Sequence, residues 1–144
     1  MFRYEIAPLQ IETVEPYLYS VPCYPWCYAP QDFLVRVRAG VETVEPFIDQ
    51  NNIFIPIDLG PPTDQVYLVM LGTGFRHYSS LNSVHAEVGG VGAPIQYIGP
   101  QGEIAGLDEV KVLLPREMAG ANDGVYVVLT VDGKPTLDLM LFFK

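Results

Sequence analysis

Residues 125–134 read Val-Tyr-Val-Val-Leu-Thr-Val-Asp-Gly-Lys, and this stretch decides the fold class. Apolar side chains recur at every second position from Val125 to Val131, which places them on one face of an extended strand. Val128 is apolar on the other face, so we expect burial on both sides. Asp132-Gly133 suits a two-residue turn that needs positive φ at both central positions. The stretch therefore predicts a β-hairpin.

The same pattern extends over the whole chain. Short apolar runs end at Pro, Gly, Asn or Asp, and helical periodicity is nearly absent apart from one turn at 115–120. Ten strands are predicted, near residues 4–11, 32–38, 43–49, 53–58, 65–72, 83–88, 93–98, 109–114, 124–131 and 136–143. Because one sheet cannot hide its own apolar face, we predict an all-β fold of two packed antiparallel sheets, with a partly open β-barrel as the alternative.

Size and charge narrow the function classes. The chain has 144 residues, which fits a single domain spanning 1–144. Its formal net charge of -9 disfavours nucleic acid and anionic membranes as partners. It contains no apolar run of about 18 residues, so we expect no membrane insertion. The first ten residues lack the charged-then-apolar layout of a secretion signal.

Eight segments carry a resemblance to a known family. They are FLVRVR at 33–38, PIDLGP at 56–61, DQVYLV at 64–69, LGTGFR at 71–76, VGGVGAP at 88–94, GPQG at 99–102, GLD at 106–108 and VLTVDG at 128–133. Their order and spacing resemble the immunoglobulin-like C-terminal domain of large exported acidobacterial proteins, and in part the wider IPT/TIG pattern. The resemblance implies an Ig-like β-sandwich, a bacterial origin and an extracellular or cell-surface location. The family has no known function, so it implies no catalytic residue.

Residues 17–30 diverge from that family pattern and read YLYSVPCYPWCYAP. Prolines at 22, 25 and 30 are incompatible with a central strand, so we predict a stiff loop or a sheet edge. Rigid aromatic side chains on such a loop bury area at low entropic cost. They could pack within the molecule, contact a protein or stack on a glycan. The candidate ligand-binding residues are Tyr17, Tyr19, Tyr24, Trp26 and Tyr28.

Cys23 and Cys27 lie in the same loop, four positions apart. A disulfide between them would pin the loop and would suit an exported protein, and we favour it over two free thiols. The closed loop is short, so its contribution to stability should be modest. A thioredoxin-like role is disfavoured because Cys-x-x-Cys in a βαβ setting is missing.

Metal and catalytic chemistry find little support in the sequence. His77 and His85 are not spaced to join Cys23 and Cys27 in a zinc site. Acidic residues in turns, such as Asp58, more often bond their own backbone than calcium. A nucleophile elbow and a phosphate-binding loop are both missing from the sequence. We therefore predict no metal and no cofactor.

The sequence leaves three hypotheses in order of preference. The first is a non-catalytic structural or interaction module of an exported protein, with a protein partner or its parent polypeptide. The second is a carbohydrate- or protein-binding module that uses residues 17–30. The third is a small metal-dependent enzyme. An apolar terminal strand at 137–144 also allows a homo-oligomer through an edge strand.

Overall fold

A computed structural model of the chain describes residues 17–18, 20–23, 27–30, 32–51 and 53–144, with side-chain detail for 32–51, 53–135 and 139–144. Nearly all regular structure in these residues is β. The strands are β1 Tyr17–Leu18, β2 Ser20–Cys23, β3 Cys27–Pro30, β4 Phe33–Arg38, β5 Val41–Glu45, β6 Gln65–Thr73, β7 Val84–Val88, β8 Val91–Gly92, β9 Ile95–Pro100, β10 Asp108–Leu113, β11 Val125–Val131 and β12 Lys134–Leu141. Two single-turn 3-10 helices, Leu81–Ser83 and Arg116–Met118, complete the described elements.

The strands form two antiparallel sheets and one separate hairpin. The first sheet has six strands in the order β5-β4-β6-β10-β9, with β1 also paired to β6. The second has four strands in the order β12-β11-β7-β8. β2 and β3 pair with each other in a two-stranded sheet of their own. The described strands form two packed antiparallel sheets and no closed barrel, which confirms the predicted β-sandwich.

The core lies between the two large sheets. Leu68 and Met70 of β6 belong to the same buried cluster as Leu129 of β11 and Leu141 of β12, and none of the four is measurably exposed. Each side chain of this size stabilises the fold by about 1.5–3 kcal/mol when fully buried. Strand β7 alternates between buried and exposed residues as predicted. Val128 is only half-buried, so the prediction of burial on both faces of β11 is wrong.

Hairpin turns follow local chemistry. Asp132 and Gly133 have φ values of 49° and 80°, as the Asp-Gly dipeptide predicts. Ala39 and Gly40 adopt the same conformation between β4 and β5, with φ of 50° and 79°. The second turn escaped prediction because alanine rarely accepts positive φ.

Residues 53–58 form no strand, contrary to prediction. Two isolated bridges hold the segment, Ile48 with Phe54 and Ile57 with Phe143. Pro56 lacks the N–H that a continuous ladder needs, and this explains why the segment pairs only at single points. The predicted helical turn is present as Arg116–Met118. The predicted strand at 4–11 lies outside the described residues.

Candidate functional site

The candidate site lies between β1 and β4, where the chain leaves the first sheet and returns to it. β1 and β4 both pair antiparallel with β6. β10 occupies the other edge of β6, since Gly72 pairs with Asp108 and with Leu18. β1 and β4 therefore pair with the same edge of β6. Together they take the place of one continuous strand.

The residue partners of β1 and β4 on β6 show how many residues are inserted between the two strands. Leu18 lies opposite Gly72, so position 21 of an unbroken strand would lie opposite Val69. The residue found there is Phe33, twelve positions later. Because twelve is an even number, the alternation of inward and outward side chains continues across the break. The β2–β3 hairpin is thus a twelve-residue insertion that leaves the register of the sandwich intact.

Asp32 fills the gap in the ladder where the chain returns to the sheet. Its Oδ1 accepts a hydrogen bond of 2.9 Å from the backbone N–H of Leu71, a residue of β6 opposite the break. The residue is 9% exposed, and Oδ2 has no hydrogen-bond partner. Burial raises the pKa of the Asp32 carboxyl to about 7, although the Leu71 N–H lowers it. The residue at which the chain rejoins the sheet after the insertion is therefore an aspartate whose carboxyl titrates near neutral pH.

The backbone places part of the predicted aromatic set. Tyr17 lies on β1 opposite Thr73, and Tyr28 lies on β3 opposite Pro22. Tyr19, Tyr24 and Trp26 lie outside the described residues, as do the side chains of Tyr17 and Tyr28. Among the described residues β2 and β3 pair only with each other, so neither is a central strand there, and Pro25 lies outside those residues.

Cys23 and Cys27 are direct partners in the register of β2 and β3. Cα atoms of directly opposed antiparallel residues are about 4.5–5.5 Å apart, within the range that a disulfide spans. Their side chains lie outside those described, so the disulfide stays a prediction. The register places the two cysteines close enough for that disulfide.

A charged cluster lies at the end of β4, built on Arg36 and Arg38. Arg36 donates to Glu45 at 2.7 Å and to Asp64 at 3.0 Å, and it also donates to the carbonyl of Asp58. Arg38 donates to Asp64 at 2.6 Å. Hydrogen bonds from Arg38 and Arg36 lower the pKa of Asp64 to about 2, against the opposing effect of burial. Beside the cluster lies an open cleft of about 410 Å³.

Arg116, on the second 3-10 helix, holds the loop of residues 58–64 through the backbone carbonyls of that loop. Its Nη1 donates to the carbonyl of Gly60 at 2.9 Å, and its Nη2 lies 2.6 Å from the carbonyl of Pro61 and 2.5 Å from that of Asp64. Three arginines thus hold residues 58–64 in place. The cluster was not predicted from the sequence. The available signal was Arg36 within the apolar run from Leu34 to Val37, since a buried arginine requires acidic partners.

The other polar groups singled out from the sequence serve local structure. Asp58 Oδ1 accepts from the Gly60 N–H at 2.8 Å, the backbone bond expected of aspartate in a turn. Asp132 accepts from the Ser79 N–H and hydroxyl and from the Ser83 hydroxyl, which ties one end of the second sheet together. Among the described residues, no three His, Cys, Asp or Glu side chains are grouped closely enough to hold a metal ion.

Comparisons with protein-family models, with curated proteins and with solved structures each find no match. No helix within the described ranges has the length and apolarity needed to cross a membrane.

Proposed function

We propose that this chain is a non-catalytic interaction module of an exported bacterial protein, in which an Ig-like β-sandwich carries a contact element at residues 17–30. The ligand-contacting residues are Tyr17, Tyr19, Tyr24, Trp26 and Tyr28. They meet either a partner protein, which includes the parent polypeptide, or a glycan.

The observation that carries the proposal is the twelve-residue insertion between β1 and β4. The sandwich needs only a continuous strand there, and the register shows that the strand would close without the insertion. Segments that a scaffold does not need, mounted on rigid strands, are where proteins place recognition. This insertion also concentrates aromatic residues, including the single tryptophan of the chain.

Pre-organisation supports the same assignment. A hairpin closed at Cys23 and Cys27 holds its aromatic side chains in place before binding, which lowers the entropy lost in the complex. Tyrosine and tryptophan faces stack on sugar rings or fill pockets on a protein. The disulfide fits an extracellular location, which the Ig-like resemblance also favours.

The non-catalytic part of the proposal rests on how the polar residues are used. Arg36, Arg38 and Arg116 are engaged with the 58–64 loop, and Asp132 with two serines. A catalytic group needs a free proton or lone pair aimed at a substrate. These groups instead use their donors and acceptors to hold the fold.

The decisive experiment deletes residues 20–31 and keeps Tyr19 and Asp32, which restores the register of one unbroken strand. We expect the deletion variant to retain the far-UV circular dichroism of a β-sandwich and to lose all binding. Binding is measured by affinity gel electrophoresis against a panel of soluble polysaccharides and by titration of Trp26 fluorescence in the intact chain.

Trp26→Ala is the matched point variant, and Tyr126→Ala is its control, because Tyr126 is a 56% exposed aromatic on the second sheet. Loss of polysaccharide retention in Trp26→Ala but not in Tyr126→Ala assigns a glycan ligand. Retention that survives deletion of 20–31, or a deletion variant that fails to fold, would overturn the proposal.

A further inference from the structure

β5 is an open edge of the first sheet. Among the described residues it pairs with β4 alone, and Val41 and Val44 are 63% and 71% exposed. Large apolar side chains on an edge strand are unusual, because such an edge is a template for another strand.

The turn before β5 fixes which backbone groups point outward. Arg38 and Val41 flank the two-residue turn and so form a hydrogen-bonded pair with each other. Pairs then alternate along the ladder, which directs the N–H and C=O groups of Glu42 and Val44 away from β4. The free edge thus offers two donors and two acceptors in a fixed register.

The other outer strands in the described part of the two sheets are protected. β1 and β8 have only two residues each. β9 ends at Pro100 and is paired through a register shift at Lys111 and Val112. β12 carries Pro135, which lies opposite Thr130 next to the hairpin turn and lacks an outward N–H. β5 has no proline and no irregularity in its pairing with β4.

The two acidic side chains of β5 do not protect the edge either, because each forms an ion pair with a basic residue of the same sheet. Glu45 pairs with Arg36 at 2.7 Å. Glu42 lies 3.8 Å from the amine of Lys111, which reaches across β6 and β4 from β10. Charge repulsion between two such edges is therefore reduced.

We propose that two copies of this chain pair antiparallel along β5, about a two-fold axis at Thr43. Val44 of each copy lies opposite Glu42 of the other, so the outward groups form about four backbone hydrogen bonds. No glutamate faces a glutamate in this register. The pairing joins the two six-stranded sheets into one continuous sheet.

Charge complementarity favours a second copy over an unrelated strand. On the face of β5 shared with Arg38 and Val41, the pairing brings Glu45 of the second copy opposite Val41. Arg38 is 63% exposed and uses Nε and Nη2 for Asp64, so Nη1 is available for that carboxylate. The same contact occurs twice by symmetry. The proposal is independent of residues 17–30.

Analytical ultracentrifugation of the intact chain over a range of concentrations tests the proposal. We expect the apparent mass to rise from 16.0 kDa toward twice that value. Val44→Pro removes an outward N–H without costing a bond inside the sheet, so it should stay monomeric throughout. Val44→Thr keeps the N–H and the β-branch and should still dimerise. A wild type that stays monomeric, or a dimer that Val44→Pro leaves intact, would overturn the proposal.

Cysteine cross-linking reports on register even if the proline variant folds poorly. Thr43→Cys brings two thiols directly opposite each other across the axis, whereas Val44→Cys places them two residues out of register. Oxidation should give a covalent dimer in the first variant only, and peptide mapping should locate the link between the two introduced thiols at position 43. Cross-linking of Val44→Cys alone, or of neither variant, would contradict a two-fold axis at Thr43.

Discussion

Ala39 and Asp132 occupy the same place in two equivalent hairpin turns, and only one of them suits it. Both are followed by glycine, and their φ values are 50° and 49°. Aspartate tolerates the left-handed region because its short polar side chain bonds locally, whereas alanine is strained there by about 1 kcal/mol or more. Ala39 is exposed.

Ala39→Asn should therefore stabilise the protein. Asn-Gly is the preferred dipeptide for this turn, so we expect a gain of about 0.5–1 kcal/mol in the free energy of unfolding. For a chain of this size that corresponds to a rise of about 3 °C in Tm, measurable by calorimetry.

Ala105→Asn is the matched control, since Ala105 is also an exposed turn alanine but does not have positive φ. It should leave Tm unchanged or lower it slightly. Equal effects of the two substitutions would mean that turn strain at Ala39 is not the cause.

Strands and turns whose determining residues are close in sequence could be predicted from the sequence pattern. The β11–β12 hairpin was predictable because alternation and Asp-Gly chemistry both act within a short stretch of chain. The insertion between β1 and β4 was not predictable, because it is defined by Thr73 and Val69 on a distant strand. The same holds for the Arg36–Asp64 contact, whose partners are 28 positions apart.

The β2–β3 hairpin makes a separate prediction about its cysteines. Because the hairpin pairs with neither large sheet, Cys23→Ser with Cys27→Ser should change Tm of the sandwich by no more than about 1 °C. The same variant should expose residues 20–30 to limited proteolysis, which the oxidised wild type resists.

Mass spectrometry of the purified protein under non-reducing conditions gives the complementary readout. We expect two fewer hydrogens than in the reduced chain. A fully reduced protein from an oxidising compartment would show that the cysteines form no disulfide. A double variant that unfolds would show that their effect is not confined to the hairpin.

For the whole molecule, the dependence of stability on pH includes the contributions of two aspartates with opposite pKa shifts, and Asp132, whose pKa is lowered by hydrogen bonds from Ser83 and Ser79, acts in the same direction as Asp64. Asp64 has a lowered pKa of about 2, so its contribution is present above the unfolded value near 3.8 and is lost as pH falls through 2. Asp32 has a raised pKa of about 7, so stability declines as pH rises from about 4 to 7. Rising negative charge on a chain that reaches -9 at pH 7 acts in the same direction as Asp32.

We therefore expect maximal stability at about pH 4–5, below the usual range for globular proteins. Urea unfolding at pH 2, 4.5 and 8 should give the highest midpoint at 4.5. The shift at Asp32 corresponds to at most about 4 kcal/mol, at about 1.4 kcal/mol per unit. Asp32→Asn keeps an acceptor for the Leu71 N–H and removes the charge, so it should flatten the decline between about pH 4 and 7.

Glu117→Gln, at an exposed carboxylate on the second 3-10 helix, is the control and should preserve the wild-type profile. Hydrogen exchange at the Leu71 amide separates local from global effects. If Asp32 ionises in place, its carboxylate binds that amide more tightly and exchange at Leu71 slows relative to the rest of β6. If ionisation instead expels Asp32 from the sheet, protection at Leu71 is lost first, and the junction of the insertion opens before the sandwich does. A wild type equally stable at pH 5 and pH 8 would contradict both outcomes and would mean that Asp32 carries no buried charge.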